Sequence, residues 1–302
     1  MEASGGAGAT GLDDRLPVRL VRQVEHAQAL DEVGETVGKK VRDTIAPGAV
    51  KDALSGTWLG HALHPLMTDV VIGALLSATI LDLLGGDRDG KAAERLIAVG
   101  IATYPPTAVT GANDWADTEV VDSRIRRVGL AHAAANVAGL ACYAASLSAR
   151  RRGRRGRGKL LGYMGAGALG AGGYLGAHMS FVQGVGPNQT AFDPGPVDWT
   201  DALDAAGLAP GRAQSVVVAD TPVLLLRHGD GLHAMHDRCS HRGCSLSDGE
   251  IDGELVVCGC HGSRFRLEDG SVERGPATAP QPVFETRESG GSIQVRLRKP
   301  SA

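Results

Sequence analysis

The chain runs to 302 residues, room for two domains, and 31 Lys and Arg against 34 Asp and Glu leave a formal net charge of −3. With no basic stripe, that balance argues against a nucleic-acid partner. Aromatic residues make up 4% of the chain and glycine occupies 43 positions, little bulk for an ordinary soluble core. A mean hydropathy near zero averages a strongly apolar middle, residues 64–182, with polar ends.

Taken in order, residues 1–11 are Gly/Ala-rich and read as disordered. Residues 1–16 lack an apolar core, so no cleavable signal peptide is expected. From Pro17 to about Ile45, Val24, Ala27, Leu30, Val37, Val41 and Ile45 recur at helical spacing, and Pro47-Gly48 stops the pattern. A shorter pattern, Val50, Leu54 and Trp58, follows, with Trp58 placed as an interface anchor. Four apolar runs come next, at Leu66–Gly85, Ala92–Gly111, Val128–Ala149 and Leu160–Val182. Each reaches the roughly 20 residues that a hydrocarbon core demands, and together they predict a four-helix transmembrane bundle. Pro105-Pro106 predicts a kink in the second. Gly162, Ala166, Gly170 and Gly173 predict a small face for close helix approach in the fourth.

Basic residues orient the bundle. The third loop, Arg150–Lys159, carries seven positive charges, and the first carries Arg88, Lys91 and Arg95. Both should be cytoplasmic, which leaves the two termini on the outer face of the cell membrane.

Chemistry concentrates between Cys239 and Phe265. Cys239-Ser-His241 and, sixteen residues on, Cys258-Gly-Cys-His261 each offer one sulfur and one nitrogen from a tight loop. Two Cys and two His at this spacing fit tetrahedral zinc, or a [2Fe–2S] cluster with Cys on one iron and His on the other. Mixing the ligands within each loop suits the cluster, since zinc fingers usually pair like with like.

C-x-H-x-x-C followed by C-x-C-H-G-S resembles the Rieske module, in its disulfide-containing, quinol-oxidising branch, over about residues 196–299. The resemblance implies an all-β domain in which Cys239 and Cys258 bind the buried iron and His241 and His261 the outer, exposed one. It implies a Cys244–Cys260 disulfide clamp, a Ser263 hydroxyl donating to the cluster, and a covering proline loop at Gly275-Pro276. Phe265 stands where high-potential relatives have Tyr, so one donor is missing and a potential below the top of the Rieske range is expected. The helical half, through LHPLMTDVVIGALL, GANDW, GLAHAAANVAGL and GAHMSF, is similar to a bacterial four-span membrane domain of unassigned function. The expected fold is therefore an α + β two-domain membrane protein. A polar, amphipathic helical segment fills 1–60, the four-helix transmembrane domain 61–183, a linker 184–195, and the all-β Rieske domain 196–302.

Costly polar residues near one end of the spans point to a second site. His64, His132 and His178 fall near the same membrane face, with Asp69, Asn136 and, in the second loop, Asp114 and Trp115. They could ligate haem b, bind a quinol headgroup, or form a structural network; Asp82, near the opposite face, reads as a cap for span one. The expected activity is membrane-anchored electron transfer from a quinol or haem donor to a redox-protein acceptor, with membrane lipid around the bundle and room for oligomers. A ferredoxin-like donor to an oxygenase or reductase, or a redox sensor, are the alternatives.

Overall fold

The structure, a computed structural model, describes residues 15–229 and 231–298; the expected disorder of residues 1–11 lies outside them. Two compact units emerge. One gathers the chain up to Lys40 with Ile72–Ala102 and Thr118–Gln183. The other gathers Val41–Val71, Thr103–Asp117 and the chain from Gly184.

The first unit is helical. The single N-terminal helix expected from periodicity is two, α1 (Leu16–Glu25) and α2 (Asp31–Thr44), divided by a short 3-10 turn at Gln28–Leu30. Asp31 and Glu32 open α2, where carboxylates complement the exposed N–H groups of a new first turn. Four long helices follow: α4 (Leu63–Leu84), α5 (Gly90–Thr118), α6 (Ser123–Arg151) and α7 (Arg155–Phe181); the start of α4, Thr103–Asp117 of α5 and the short α3 (Ala49–Ser55) belong to the second unit. Among the described residues, only α4 and α6 combine length with an apolar window able to cross a membrane. Gly and charge dilute α7, and Asn113, Asp114 and Asp117 lie within α5. On α4, Leu66, Val70, Ile72, Leu76, Ile80 and Leu83 are exposed.

α5 continues through Pro105 and Pro106; the prolines do not end it. α6 and α7 pack through small residues, of which Gly162 alone was among those read from the sequence. Gly158, Gly162, Gly165, Leu169 and Gly172 are buried, at alternating steps of four and three, whereas Gly170 and Gly173 meet open space. The helix turns every 3.6 residues, so strict four-residue steps drift off the contact face. Tyr143, fully buried, occupies the room at Gly165, where an added Cβ would meet its ring at 2.7 Å.

Asp82 is not a helix cap. Its carboxylate is buried against the Arg150 guanidinium, and its carbonyl accepts from Lys159 Nζ (3.0 Å) and Tyr163 OH (3.1 Å). Arg150 therefore spends its charge inside the fold rather than in the basic loop.

The β-domain of the second unit holds β1 (Thr200–Asp204), β2 (Gln214–Val218), β3 (Thr221–His228), β4 (Gly231–His236), β5 (Glu250–Asp252), β6 (Leu255–Val257), β7 (Arg264–Arg266), β8 (Val272–Arg274), β9 (Val283–Ser289) and β10 (Ser292–Leu297). An antiparallel six-stranded sheet runs β1-β10-β9-β4-β3-β2, and β5-β6-β7-β8 form a smaller one. Along β3, Leu224 and Leu226 enter one core and Val223 and Leu225 the other, the two-residue period of a strand buried on both faces. Ala219 and Asp220, both at positive φ, close the β2–β3 hairpin, and Gly290-Gly291 close β9–β10, the backbone twist that two-residue hairpins favour.

Candidate metal centre

Both ligand loops are built alike. In the first, between β4 and β5, Cys239 N donates to Cys244 O and Gly243 N to Cys239 O, each at 2.8 Å. In the second, between β6 and β7, Cys258 N donates to Ser263 O at 2.8 Å and Gly262 N to Cys258 O at 3.0 Å. Gly243 and Gly262 sit at φ +78° and +75°, a left-handed conformation that glycine adopts without strain. Each loop is thus a closed ring that turns its first Cys and its His inward.

The rings bring like side chains together. The Cys239 and Cys258 thiols are unbridged, buried at 1% and 2% exposure, and hydrogen-bonded to each other. That bond, with the N–H groups of Cys260 and His261, pulls the Cys258 thiol down to about 6 and pushes Cys239 well up. The His241 and His261 rings stand edge to face, centroids 5.0 Å apart. Burial lowers both imidazoles, His241 strongly, keeping the rings in the neutral form that binds metal. Cys244 and Cys260 form a disulfide between the loops, and its sulfurs lie with Cys258 Sγ inside 4.8 Å.

These residues fit a [2Fe–2S] cluster by a direct test. His241 Nδ1 is buried with no hydrogen-bond partner. A buried ring nitrogen left unsatisfied costs about 1–3 kcal/mol, which a metal bond would relieve. Ser263 Oγ, fully buried, accepts from Ala277 N at 3.0 Å, so its own proton is free to point at the cluster. Phe265 is fully buried in the β-domain core, and the Gly275-Pro276 peptide is cis.

Two residues that sequence reasoning missed hold the first loop. Gln281 Oε1 accepts from Ser240 N at 2.7 Å, and its amide donates to the carbonyls of His236 and Arg238. Asp237 accepts from the Ser215 and Ser245 hydroxyls and from Ser247 N. The S-x-S after Cys244 was the local signal for the second; Gln281 left none.

The exposed histidine edge expected from the sequence is covered. His241 retains 11% side-chain exposure and His261 8%. The cover, within the same compact unit, is α3 and the end of α5. Asp117 Oδ2 lies 3.8 Å from His241 Nε2, and its other oxygen takes Lys51 Nζ at 2.8 Å. Asp114 and Trp115, expected in a loop, are helical in α5, where Asn113, Asp117 and Thr118 are buried too; buried polar side chains favour the hydrogen-bonded helix over an open turn.

The bundle histidines keep separate partners. His132 Nδ1 bonds the Gly172 carbonyl at 2.7 Å and its Nε2 meets Asn136 Nδ2 at 3.0 Å. His178 Nε2 lies 3.0 Å from Glu25 Oε1, and His64 Nδ1 lies 3.0 Å from Thr107 O. Asp69 is exposed.

Comparison with known proteins agrees with this geometry. The family model described as "Rieske [2Fe-2S] domain" matches residues 198–285, and "Predicted membrane protein (DUF2231)" matches residues 60–189. Ferredoxin CarAc of Metapseudomonas resinovorans is 34% identical over 102 residues, 33% of this chain and 95% of its own. The cytochrome b6-f complex iron-sulfur subunit of Chlorobaculum tepidum is 30% identical over 78 residues, 26% of this chain and 42% of its own. Among solved structures, a chain of the oxygenase–ferredoxin complex of carbazole 1,9a-dioxygenase aligns at 31% identity over 33% of this chain and 96% of its own, with TM-score 0.31. Paired buried thiols, paired imidazoles and a relative matched over nearly its full length lead to one assignment: the chain belongs to the Rieske [2Fe–2S] family through its C-terminal third, which binds the cluster and transfers electrons.

Proposed function

We propose that this protein is a membrane-anchored Rieske electron carrier in which Cys239 and Cys258 hold one iron and His241 and His261 the other. The observation that carries the ligand set is the unspent His241 Nδ1 beside two free buried thiols. When bound, the cluster supplies a one-electron couple. The chain's part is to present neutral imidazoles and a hydrogen-bonded pair of buried sulfurs, to exclude water with the Gly275-Pro276 loop, and to direct the Ser263 hydroxyl at the centre.

The four long helices are proposed as spans, α4 and α6 with apolar character enough on their own and α5 and α7 completing the bundle. Basic loops one and three would lie in the cytoplasm and the Rieske module, residues 196–302, on the outer face. The Cys244–Cys260 disulfide supports that oxidising side and the quinol-oxidising branch. A quinol is favoured over haem b as donor, because His132 already spends both ring nitrogens on Gly172 and Asn136. An outer-face redox protein would accept the electron.

The test is purification in detergent, reduction with dithionite, and low-temperature EPR with iron, acid-labile sulfide, zinc and haem assays. A Rieske-type signal with two irons per chain and no haem is expected. Zinc in place of iron overturns the ligand assignment, and stoichiometric haem overturns the quinol reading. A second reading, a donor to an oxygenase with the module in the cytoplasm, is favoured by the identity to ferredoxin CarAc. Protease treatment of intact cells separates the two, since only an outer-face module is cut.

A further inference from the structure

One residue outside the β-domain touches both candidate iron-binding imidazoles. Asp117, near the end of α5, faces His241 Nε2 with its carboxylate at 3.8 Å, and its backbone carbonyl takes a hydrogen bond from His261. The carboxylate does not float. Lys51 on α3, itself 3% exposed, holds Oδ1 at 2.8 Å, while Oδ2 has no hydrogen-bond partner. Around this contact the same corner meets the covering loop: a Cβ on Gly275 would lie 3.0 Å from Asp52 Oδ1, and Thr57 Oγ1 lies 3.5 Å from Ala277 O. The approach is close enough that a Cβ on Gly275 would sit 2.1 Å from Thr57 Oγ1. Helix α3 and the end of α5 thus form a fitted seat for the histidine edge.

We infer that Asp117 is a positioning residue for the electron-transfer centre, anchored by Lys51, whose buried negative charge against the His241 ring lowers the reduction potential. This rests on the ligand assignment proposed above. The physics is charge at short range in a dry environment. A carboxylate stabilises the more positive, oxidised centre, and water screens little of the interaction when both partners are buried. Lys51 contributes the opposite sign from further away. Its loss therefore does more than break a salt bridge, because it leaves the Asp117 charge uncompensated and drives the potential down further.

The experiment is a dye-mediated redox titration of the full-length protein in detergent at one fixed pH, followed by EPR. Asp117→Asn should shift the reduced-to-oxidised ratio at a given poise about tenfold toward reduced, roughly 59 mV upward for one electron. Lys51→Met should move it in the opposite direction. Opposite signs are the signature, since merely loosening the seat would move both variants the same way. Unmoved midpoints in both, or shifts of one sign, overturn the inference. If Asp117→Asn fails to load a cluster, the sign of the Lys51→Met shift alone decides: downward supports, upward or none refutes. A parent protein without a Rieske signal would instead defeat the ligand assignment, which keeps the two failures apart.

Discussion

The molecule holds two sets of partly enclosed histidines, and what their nitrogens do separates them. In the helical unit His132 has both nitrogens engaged, one on a main-chain carbonyl and one on an asparagine four residues along its own helix. In the β-domain His241 is as deeply enclosed, yet Nδ1 has nothing to bond. A polar group that folding buries and leaves unsatisfied is an unexplained cost unless something absent from the polypeptide completes it. The lesson is that enclosure alone does not point to a ligand; an unspent ring nitrogen in a domain that also buries two unbridged thiols is what supports the proposed one.

That contrast can be broken most sharply at His241. His241→Ala should abolish the cluster's EPR signal and visible absorption, and a variant that keeps both would erase the distinction. Next in size, Cys244→Ser opens the clamp between the ligand loops. A disulfide closing a loop of this length contributes about 3 kcal/mol, so the β-domain should unfold at clearly lower denaturant while the helical unit's transition stays in place. On the other side of the comparison, His132→Leu should cost about 1–3 kcal/mol through the orphaned Asn136 and Gly172 groups and leave midpoint and EPR line shape unchanged. A cluster change there would make the bundle histidines functional after all.

Much of this was legible in the sequence, because the informative residues are close together. Cys239, His241, Cys258 and His261 announce themselves by spacing, and the glycines after them by the turns they allow. The long helices showed as apolar runs, their ends misjudged by a few residues where charge begins. What stayed hidden depended on partners distant along the chain. Nothing near Asp82 foretells Arg150, 68 residues later. Nothing near His241 reveals that Lys51 and Asp117 cover it. Of the packing glycines read in α7 only Gly162 is buried, because Gly occupies so many positions there that only the partner helix selects among them.

The clamp between the loops also bears on how the protein is handled. Thiol reductants would convert Cys244 and Cys260 into two further sulfhydryls beside the Cys239–Cys258 pair. The sulfurs of Cys244, Cys258 and Cys260 lie within 4.8 Å of one another, and Cys239 hydrogen-bonds Cys258, a thiol-rich set that suits zinc. A preparation made in dithiothreitol would then be colourless and zinc-loaded, and would be mistaken for a different class of metalloprotein, whereas one reduced with dithionite would keep its iron.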